Sequence, residues 1–380
     1  MLGPFSIDTY LPAFPAVERA LGVGPLEVQQ TLTAYFLAFG FMMLFHGTLS
    51  DSYGRRPVIL VGLVVFAAAG VGCAQADSIP ALIGWRVLQG ASGGVGMIVG
   101  RAIIRDAFPS TEAQKVMALI TMVFAIAPAI APMIGGYLHH AFGWRAVFWF
   151  LAALGVVLFV AAARFLPETH PVAARTPFRP GPLARGYLAA ARHRGFLLIA
   201  MTLGFNFAGF FVYIMSAPAF GYGMLGLEET QLAVMFWPGV IGMIGGSYLS
   251  GRVAGRITPS RQIGIAYAVM LSGAVFNAAY HAVWPPALPW SLVHLGIYCF
   301  GLALAIPSLS IIALDQFPEN RGLASSVIGF VQSTSNAVLA GLIAPFVSRH
   351  PVWLAATMAT LVGAGLVCWT LFLRTRRGRR

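Results

Sequence analysis

The chain has 380 residues, of which 58% are hydrophobic and only 9% are charged, and its formal net charge is +12. A water-soluble domain of this size could not bury so much apolar side chain, so the composition excludes an ordinary soluble protein and indicates a polytopic membrane protein. Glycines and prolines inside the long apolar stretches favour membrane helices over a β-barrel, whose strands would alternate in short segments.

Apolar stretches long enough to cross a membrane recur along the whole chain. The first set is predicted at 1–16, 28–50, 57–76, 80–103, 114–138 and 146–166. The second set is predicted at 196–219, 229–251, 262–283, 287–312, 322–347 and 352–373. The pattern predicts an all-α membrane protein with twelve transmembrane helices. Its expected parts are a six-helix bundle over 1–166, a cytoplasmic linker over 167–195, a second six-helix bundle over 196–373 and a basic cytoplasmic tail over 374–380.

Basic residues are distributed by side of the membrane rather than over one face. If the first span starts in the cytoplasm, the loops and tail on that side carry 20 basic residues and the outer loops carry three. This asymmetry predicts that both termini and the linker are cytoplasmic, and it argues against a nucleic-acid-binding surface. The sequence DAFP at 106 recurs as DQFP at 315, which indicates two repeats of six helices.

Two charged residues lie deep inside predicted spans, Asp8 in the run GPFSIDTYLP and Arg86 in RVLQG. Helix rise counted from Glu18 and Asp77 at the outer ends places both at a similar depth, ~13–15 Å. Charges at such depth are unfavourable by about 2.5–3.5 kcal/mol and usually line a wet cavity. We expect Asp8 and Arg86 to form a proton-coupling or substrate-contacting site. The alternative is a static ion pair that fixes helix packing.

The first helix is expected to be short at its N-terminal end. Only seven residues precede Asp8, which is about 10 Å of helix, whereas roughly 15 Å separate the bilayer centre from its face. We therefore expect that truncation or a misplaced initiator codon has removed its start, and mass spectrometry of the native N-terminus would decide this.

Other polar or aromatic side chains within the spans are candidates for lining a cavity. They are Tyr10, Tyr35, Gln89, Asn206, Phe210, Gln332 and Asn336. Interhelical hydrogen bonding is an equally good interpretation of the three amides in the second half. His46, His281 and His294 each stand alone in or beside a span and are interpreted as structural histidines. The three cysteines lack paired spacing, so we expect neither a disulfide nor a metal site.

The sequence GTLSDSYGRR, between the second and third spans, is interpreted as a conformational latch. Its predicted residues, with those at the end of the fourth span, are Gly47, Asp51, Gly54, Arg55, Arg56, Arg101 and Arg105. The two glycines allow a tight turn and a close approach of helices. We expect Asp51 to pair with Arg101 or Arg105. The alternative is a basic loop that only sets topology.

The sequence APAIAPMIGG places Pro128 and Pro132 one turn apart in the fifth span, followed by Gly135 and Gly136. Prolines bend a helix, and small residues let another helix pack closely. Ordinary packing of membrane helices is the alternative interpretation.

These motifs together resemble the major facilitator superfamily, and within it the drug:proton antiporters of the bicyclomycin/chloramphenicol-resistance (Bcr/CflA) type. GTLSDSYGRR resembles the signature between helices two and three, although Ser52 stands where a basic residue is common. RVLQG resembles the helix-four motif, with its arginine at Arg86, and IDTYLPAFP resembles the helix-one motif, with its acid at Asp8. APAIAPMIGG resembles the helix-five antiporter motif, in which Ala131 replaces the usual glycine.

The resemblance implies two six-helix bundles that expose a central site to one side at a time and exchange protons for small amphipathic drugs or antibiotics across a bacterial inner membrane. It implies the proton as coupling ion and no further cofactor, and we expect a monomer in the lipid bilayer without a nucleic-acid partner. An exporter of a specific metabolite, such as a sugar or amino-acid derivative, and a non-transporting receptor or scaffold are the alternatives. An enzyme is disfavoured, because no cluster of nucleophile, base and orienting group and no metal-ligand spacing occurs.

Overall fold

The computed structural model describes residues 2–107, 116, 127, 130–175, 180–228, 231–317 and 321–377. Within these ranges all regular secondary structure is helical, and no strand occurs. The chain forms two compact units, Met1–Ala184 and Arg185–Arg380. The boundary between them falls inside the segment 167–195 that the sequence predicts as a linker.

The first unit begins with an interrupted helix. Helix α1 (Leu2–Asp8) ends within the first predicted span, and a 3-10 turn (Leu11–Ala13) leads into α2 (Phe14–Leu21). Pro12 has no N–H to donate to the carbonyl of the preceding turn, which accounts for the break. The remaining helices of this unit are α3 (Pro25–Tyr53), α4 (Arg55–Ala74), α5 (Ile79–Gly93), α6 (Val95–Ala107), α7 (130–142) and α8 (Arg145–Phe165).

Helix α9 (Pro180–Arg192) crosses the boundary between the units. The helices of the second unit that follow it are α10 (Arg194–Met215), α11 (Trp237–Val253), α12 (Pro259–Val283), α13 (Trp290–Leu314), α14 (Arg321–Val338), α15 (Ala344–Val347) and α16 (Pro351–Arg377). Two π-helical turns, Ala219–Met224 and Leu339–Ile343, widen the backbone after α10 and α14.

Ten helical segments in the described ranges are long and apolar enough to cross a membrane. They coincide with ten of the twelve predicted spans. The first predicted span is the broken α1–α2 segment, and most of the fifth, 114–138, lies outside the described residues. The predicted linker is less irregular than its proline and arginine content indicates, because α9 occupies part of it and buries Ala190.

Helix packing within each unit brings distant parts of the sequence together. In the first unit α1 packs on α5 and α8, α3 packs on α5, and α4 lies between α5 and α8. In the second unit α13 contacts both α11 and α12, while α10 contacts α14 and α16. The short connection between α12 and α13 makes these two helices neighbours, so that the end of one lies beside the start of the other.

Glycine sets the closest of these approaches. A Cβ at Gly246 of α11 would overlap the carbonyl oxygen of Phe300 in α13, and a Cβ at Gly242 would overlap the carbonyl oxygen of Gly296. Backbones that pack this closely gain dispersion contacts, which drive association of helices in lipid. Gly251, near the end of the same α11, has no neighbouring atom within 4 Å of its would-be Cβ.

We predict that Gly246→Ala destabilises the protein by about 1–3 kcal/mol, because the added methyl must push α13 away from α11. Thermal unfolding of the purified protein in detergent measures this. The matched variant Gly251→Ala places the same methyl in open space on the same helix and should leave the melting temperature unchanged or slightly higher. Equal destabilisation by both variants would contradict the close α11–α13 contact.

Candidate functional site

Asp8 lies where α1 ends. Its side chain is 2% exposed, and the hydroxyl of the following residue, Thr9, bonds back to the carbonyl of Phe5 at 2.5 Å. Helix α7 approaches this break through Gly135, at which a Cβ would overlap the carbonyl oxygen of Thr9. Gly135, in the predicted helix-five motif, therefore packs directly against Thr9, the residue that follows Asp8. A larger side chain at position 135 would prevent this contact.

Arg86 of α5 is completely buried and lies among aromatic rings. Its guanidinium carbon is 4.4 Å from the ring centroid of Tyr35, 5.1 Å from that of Tyr10 and 6.0 Å from that of Phe148. Aromatic ring faces of this kind stabilise a buried cation.

The hydrogen bonds of Arg86 use one side of its guanidinium. Nη1 donates to the carbonyl of Ser6, 3.1 Å away, and to Oε1 of Gln89, 2.5 Å away. Nε and Nη2 of Arg86, and Nε2 of Gln89, have no partner among the described residues. The free pair on Arg86 forms the planar fork that binds a carboxylate or another acceptor group with two parallel bonds.

Asp8 and Arg86 do not form the static ion pair that was the alternative interpretation of these residues. Ion pairs among the described residues include those that join Arg55 to Asp51 and Asp106, Arg145 to Asp77, and Arg175 to Glu168, and none joins Asp8 to Arg86. Asp8 and Arg86 thus stay chemically available in this conformation, one as a buried carboxyl group and the other as a buried cation with an unfilled fork.

The candidate cavity residues separate into two groups, one in each unit. Tyr10, Tyr35 and Gln89 gather around Arg86 as described above. In the second unit, Asn206 of α10 is fully buried and exchanges hydrogen bonds with the hydroxyl of Tyr267 in α12, so it links two helices. Phe210 is also buried, Gln332 is half-buried, and Asn336 is buried with an unpaired Oδ1.

The predicted latch is a network of charges at one end of the first unit. Arg55, at the start of α4, donates from Nε to Asp106 at 3.2 Å and from Nη1 to the hydroxyl of Ser50 at 2.6 Å and to Asp51. Asp51 therefore pairs with Arg55 instead of Arg101, which is exposed on α6. The side chain of Arg105 lies outside the described residues.

Glu168, in the segment after α8, closes this network from the other side. Its carboxylate accepts the backbone N–H groups of Arg55 at 3.0 Å and Arg56 at 3.3 Å, which are free donors at the start of α4. Arg175 lies 3.7 Å from the same carboxylate. Gly54, between α3 and α4, has a φ of 101° and would bring a Cβ to 2.5 Å from Glu168 Oε2, so only glycine fits this turn.

The pKa of Glu168 reflects these contacts. Partial burial alone would raise it, but the N–H groups of His170, Arg55 and Arg56 and the Arg175 guanidinium outweigh burial and hold the pKa below its usual range. The charged form is therefore the one that the folded protein stabilises.

At the corresponding end of the second unit, the contact related to that of Ser50 is between neutral groups. Gln262 of α12 donates from Nε2 to the hydroxyl of Ser250 at 2.8 Å and to the carbonyl of Leu304 at 2.9 Å. Ser50 and Ser250 lie in the two related sequences GTLSDSYGRR and GSYLSGRVAGR. A neutral amide thus bonds Ser250 where a guanidinium bonds Ser50.

Several of these residues were missed at the level of sequence. The sequence assigns Asp106 only to the repeated Asp-x-Phe-Pro sequence and Glu168 only to the linker. Glu168 could have been singled out because it is an acidic residue in a strongly basic segment. In the helix-five motif, Pro132, Gly135 and Gly136 are buried on α7, whereas Pro128 lies outside the described residues.

We predict that Glu168→Gln lowers the stability of the protein at neutral pH by about 1 kcal/mol, the usual contribution of a helix cap. Because the folded state lowers the pKa of Glu168, its contribution is complete above the ordinary glutamate pKa of about 4.3 and is lost as pH falls through the lower folded value. Melting temperatures of both proteins between pH 7 and pH 3 should therefore converge in acid. Glu228→Gln, which removes an exposed carboxylate of the second unit, is the control.

Proteins named for resistance to antibiotics or drugs align in sequence with nearly the whole chain. It is 31% identical over 385 residues to the bicyclomycin resistance protein homolog of Haemophilus influenzae, covering 99% of this chain and 94% of that protein. It is 30% identical to multidrug resistance protein D of Escherichia coli (strain K12), covering 99% and 93%. It is 29% identical to a chloramphenicol resistance protein of Pseudomonas aeruginosa, covering 97% and 88%.

Solved structures share the fold at lower sequence identity. The human organic anion transporter MFSD10 (TETRAN) superposes with a TM-score of 0.69 at 21% identity, over 98% of this chain and 96% of that one. A D-xylose–proton symporter superposes with a TM-score of 0.73 at 16% identity, over 97% and 95%. The family model described as Major Facilitator Superfamily matches residues 1–340. The family and fold predicted from the motifs are confirmed, and the chain belongs to the major facilitator superfamily as a multi-pass membrane transporter rather than an enzyme.

Proposed function

We propose that this protein exports small amphipathic drugs or antibiotics across the bacterial inner membrane in exchange for protons, by alternating access and without a further cofactor. The carrying observation is the Asp8 carboxyl group, 2% exposed at a helix break and unpaired with any cation among the described residues. The names of the relatives, which refer to bicyclomycin, chloramphenicol and multidrug resistance, support drugs as the substrate class.

Asp8 is suited to exchange protons because its surroundings can favour either protonation state. Burial favours the neutral acid, whereas water or a cation beside the carboxyl group favours the carboxylate. The Arg86 fork could supply that cation after a shift of α1, whose Ser6 carbonyl already bonds Arg86. In this mechanism the proton enters Asp8 when the site is open to the outside and leaves when the site opens inward.

The energetics suffice for accumulation against a gradient. Each proton that moves inward across 100 mV gains about 2.3 kcal/mol, which corresponds to nearly 50-fold accumulation of an exchanged neutral substrate. In this exchange, the inward movement of a proton is coupled to the outward movement of a drug molecule. We propose that the protein works as a monomer in the bilayer, because each chain carries both repeats.

We predict that Asp8→Asn abolishes proton-driven efflux while the protein still folds and inserts. The asparagine side chain matches the shape of the protonated acid but cannot release a proton. Purified protein in proteoliposomes, with an imposed pH gradient and a panel of amphipathic drugs including chloramphenicol and bicyclomycin, measures this. Glu18→Gln removes a carboxylate from the more exposed α2 and should retain efflux. Full efflux by Asp8→Asn would eliminate the proposed role.

The same reconstitution tests the other candidate functions. A metabolite exporter would exchange protons for sugar or amino-acid derivatives and ignore the drug panel. A receptor or scaffold would show neither proton-driven uptake nor counterflow of a labelled compound preloaded in the vesicles.

We predict that Arg86→Lys weakens substrate-dependent proton release about tenfold or more, although it keeps the positive charge. Lysine lacks the planar fork and the contact with the Tyr35 ring, and loss of one hydrogen bond to a charged group costs about 1.5–3 kcal/mol. Proton release from detergent-solubilised protein on addition of drug measures the change. Arg145→Lys is the matched control, since Arg145 also stacks on an aromatic ring, that of Trp144, but is 42% exposed.

A further inference from the structure

Two histidines that stand alone in the sequence come together in the second unit. His281 lies near the end of α12 and His294 near the start of α13, and they are joined through the short segment 284–289. The ring of His294 is 4.5 Å from that of Tyr213, and the ring of His281 is 5.9 Å from that of Phe220. The rings of Tyr213 and Phe220 are 5.6 Å apart, so the four rings form one continuous cluster.

Both imidazoles are buried without hydrogen-bond partners. His281 is 5% exposed and His294 is 1% exposed. All four ring nitrogens lack a partner among the described residues. A purely structural histidine normally pairs at least one nitrogen, because an unpaired polar atom in the interior is unfavourable. The interpretation of these two residues as structural histidines therefore leaves their four unpaired nitrogens unexplained.

Two neighbouring polar side chains, Tyr213 and Asn277, do have hydrogen-bond partners, unlike the two histidines. The Tyr213 hydroxyl and Asn277 exchange hydrogen bonds at 2.7 and 3.1 Å, and Asn277 also contacts the sulfur of Met358 in α16. Tyr213 and Asn277 thus satisfy each other, whereas neither imidazole has a described partner for its ring nitrogens.

Histidine is the side chain whose charge changes most readily near neutral pH. No Asp, Glu, Lys or Arg is buried in the described part of the second unit, so these imidazoles are its buried groups that can become cations. The titratable groups that contact them are Tyr213 from α10 and Tyr280 from α12, whose ring is 5.1 Å from that of His281. The other ring beside them, that of Phe220 from the π-turn, carries no charge. The rings of Tyr213, Tyr280 and Phe220 thus pack against the two imidazoles.

We propose that His281 and His294 form a second proton-binding site, separate from Asp8, that takes up one proton when the α12–α13 end of the second unit opens to water. The proton adds to an unpaired ring nitrogen and converts one neutral imidazole to imidazolium. Repulsion between two adjacent cations limits the pair to one proton. Closing the cluster removes water and favours the neutral rings, so the proton leaves. This inference rests on the proposed proton-driven export, to which it adds a second coupling ion.

The test is the number of protons exchanged per drug molecule. Proteoliposomes carry a pH difference of one unit, no membrane potential and a chelator that removes trace metals, and the substrate is the member of the drug panel that wild type transports. Each coupled proton multiplies the accumulation ratio at steady state by ten. We expect a ratio of about 100 for wild type and about 10 for the double variant His281→Gln/His294→Gln. His350→Gln, which alters an exposed histidine, should keep the wild-type ratio.

The outcomes separate this inference from the proposed function. A wild-type ratio of about 10 that the double variant shares would overturn the second site but leave proton-driven export intact. A slower approach to an unchanged ratio in the variant would likewise overturn it, because a structural role alters rate and not coupling. The single variants cover the case in which the double variant fails to fold: the variant that removes the ring carrying the proton should show the lower ratio, and a ratio of about 100 in both single variants would overturn the site. A ratio of one in wild type, with drug equilibrated across the bilayer, would instead refute proton-driven export itself.

Discussion

The end of α1 at Asp8 is the constraint on which the candidate site depends. In a continuous helix the backbone carbonyl groups would accept hydrogen bonds within the helix and would not be left to contact other helices. The break before Pro12 instead turns the backbone, leaves the Ser6 carbonyl beside Arg86, and exposes the Thr9 carbonyl to Gly135 of α7. Three separate motifs thus meet at one irregular point in the backbone. Irregular backbone inside a membrane is tolerated only where protein or water surrounds it.

Arg86 shows how a cation can be kept in such a place without an anion beside it. Aromatic rings contributed by α3, α8 and the turn after α1 surround the guanidinium, and two acceptors satisfy one of its nitrogens. This arrangement lowers the penalty of burial but does not neutralise the charge. The remaining nitrogens form a site with a preference for acceptor groups, whether these come from the protein or from a bound molecule.

Much of this could be predicted from the sequence, and the limits have physical causes. Hydropathy identified ten described spans because each helix must match the thickness of the bilayer, and the same scarcity of charge made Asp8 and Arg86 conspicuous. The break in the first helix was not predicted, since a proline in a membrane helix can equally produce a bend. The partners Asp106 and Glu168 were not predicted either. They are distant in sequence from Arg55, and only the packing of helices decides which carboxylate reaches it.

The latch network at the end of the first unit differs chemically from the Gln262 contact at the corresponding end of the second unit. This difference shows how the two repeats have diverged. Arg55 is held by carboxylates, whereas Gln262 is held by a hydroxyl and a carbonyl. Dissolved ions weaken attraction between charges near a surface, but they leave hydrogen bonds between neutral groups almost unchanged. The Arg55 contacts of the first repeat therefore weaken as the ionic strength of the solution rises, whereas the Gln262 contacts of the second do not. Duplication has in this way placed a salt-sensitive contact in one repeat and a salt-insensitive contact at the related position of the other.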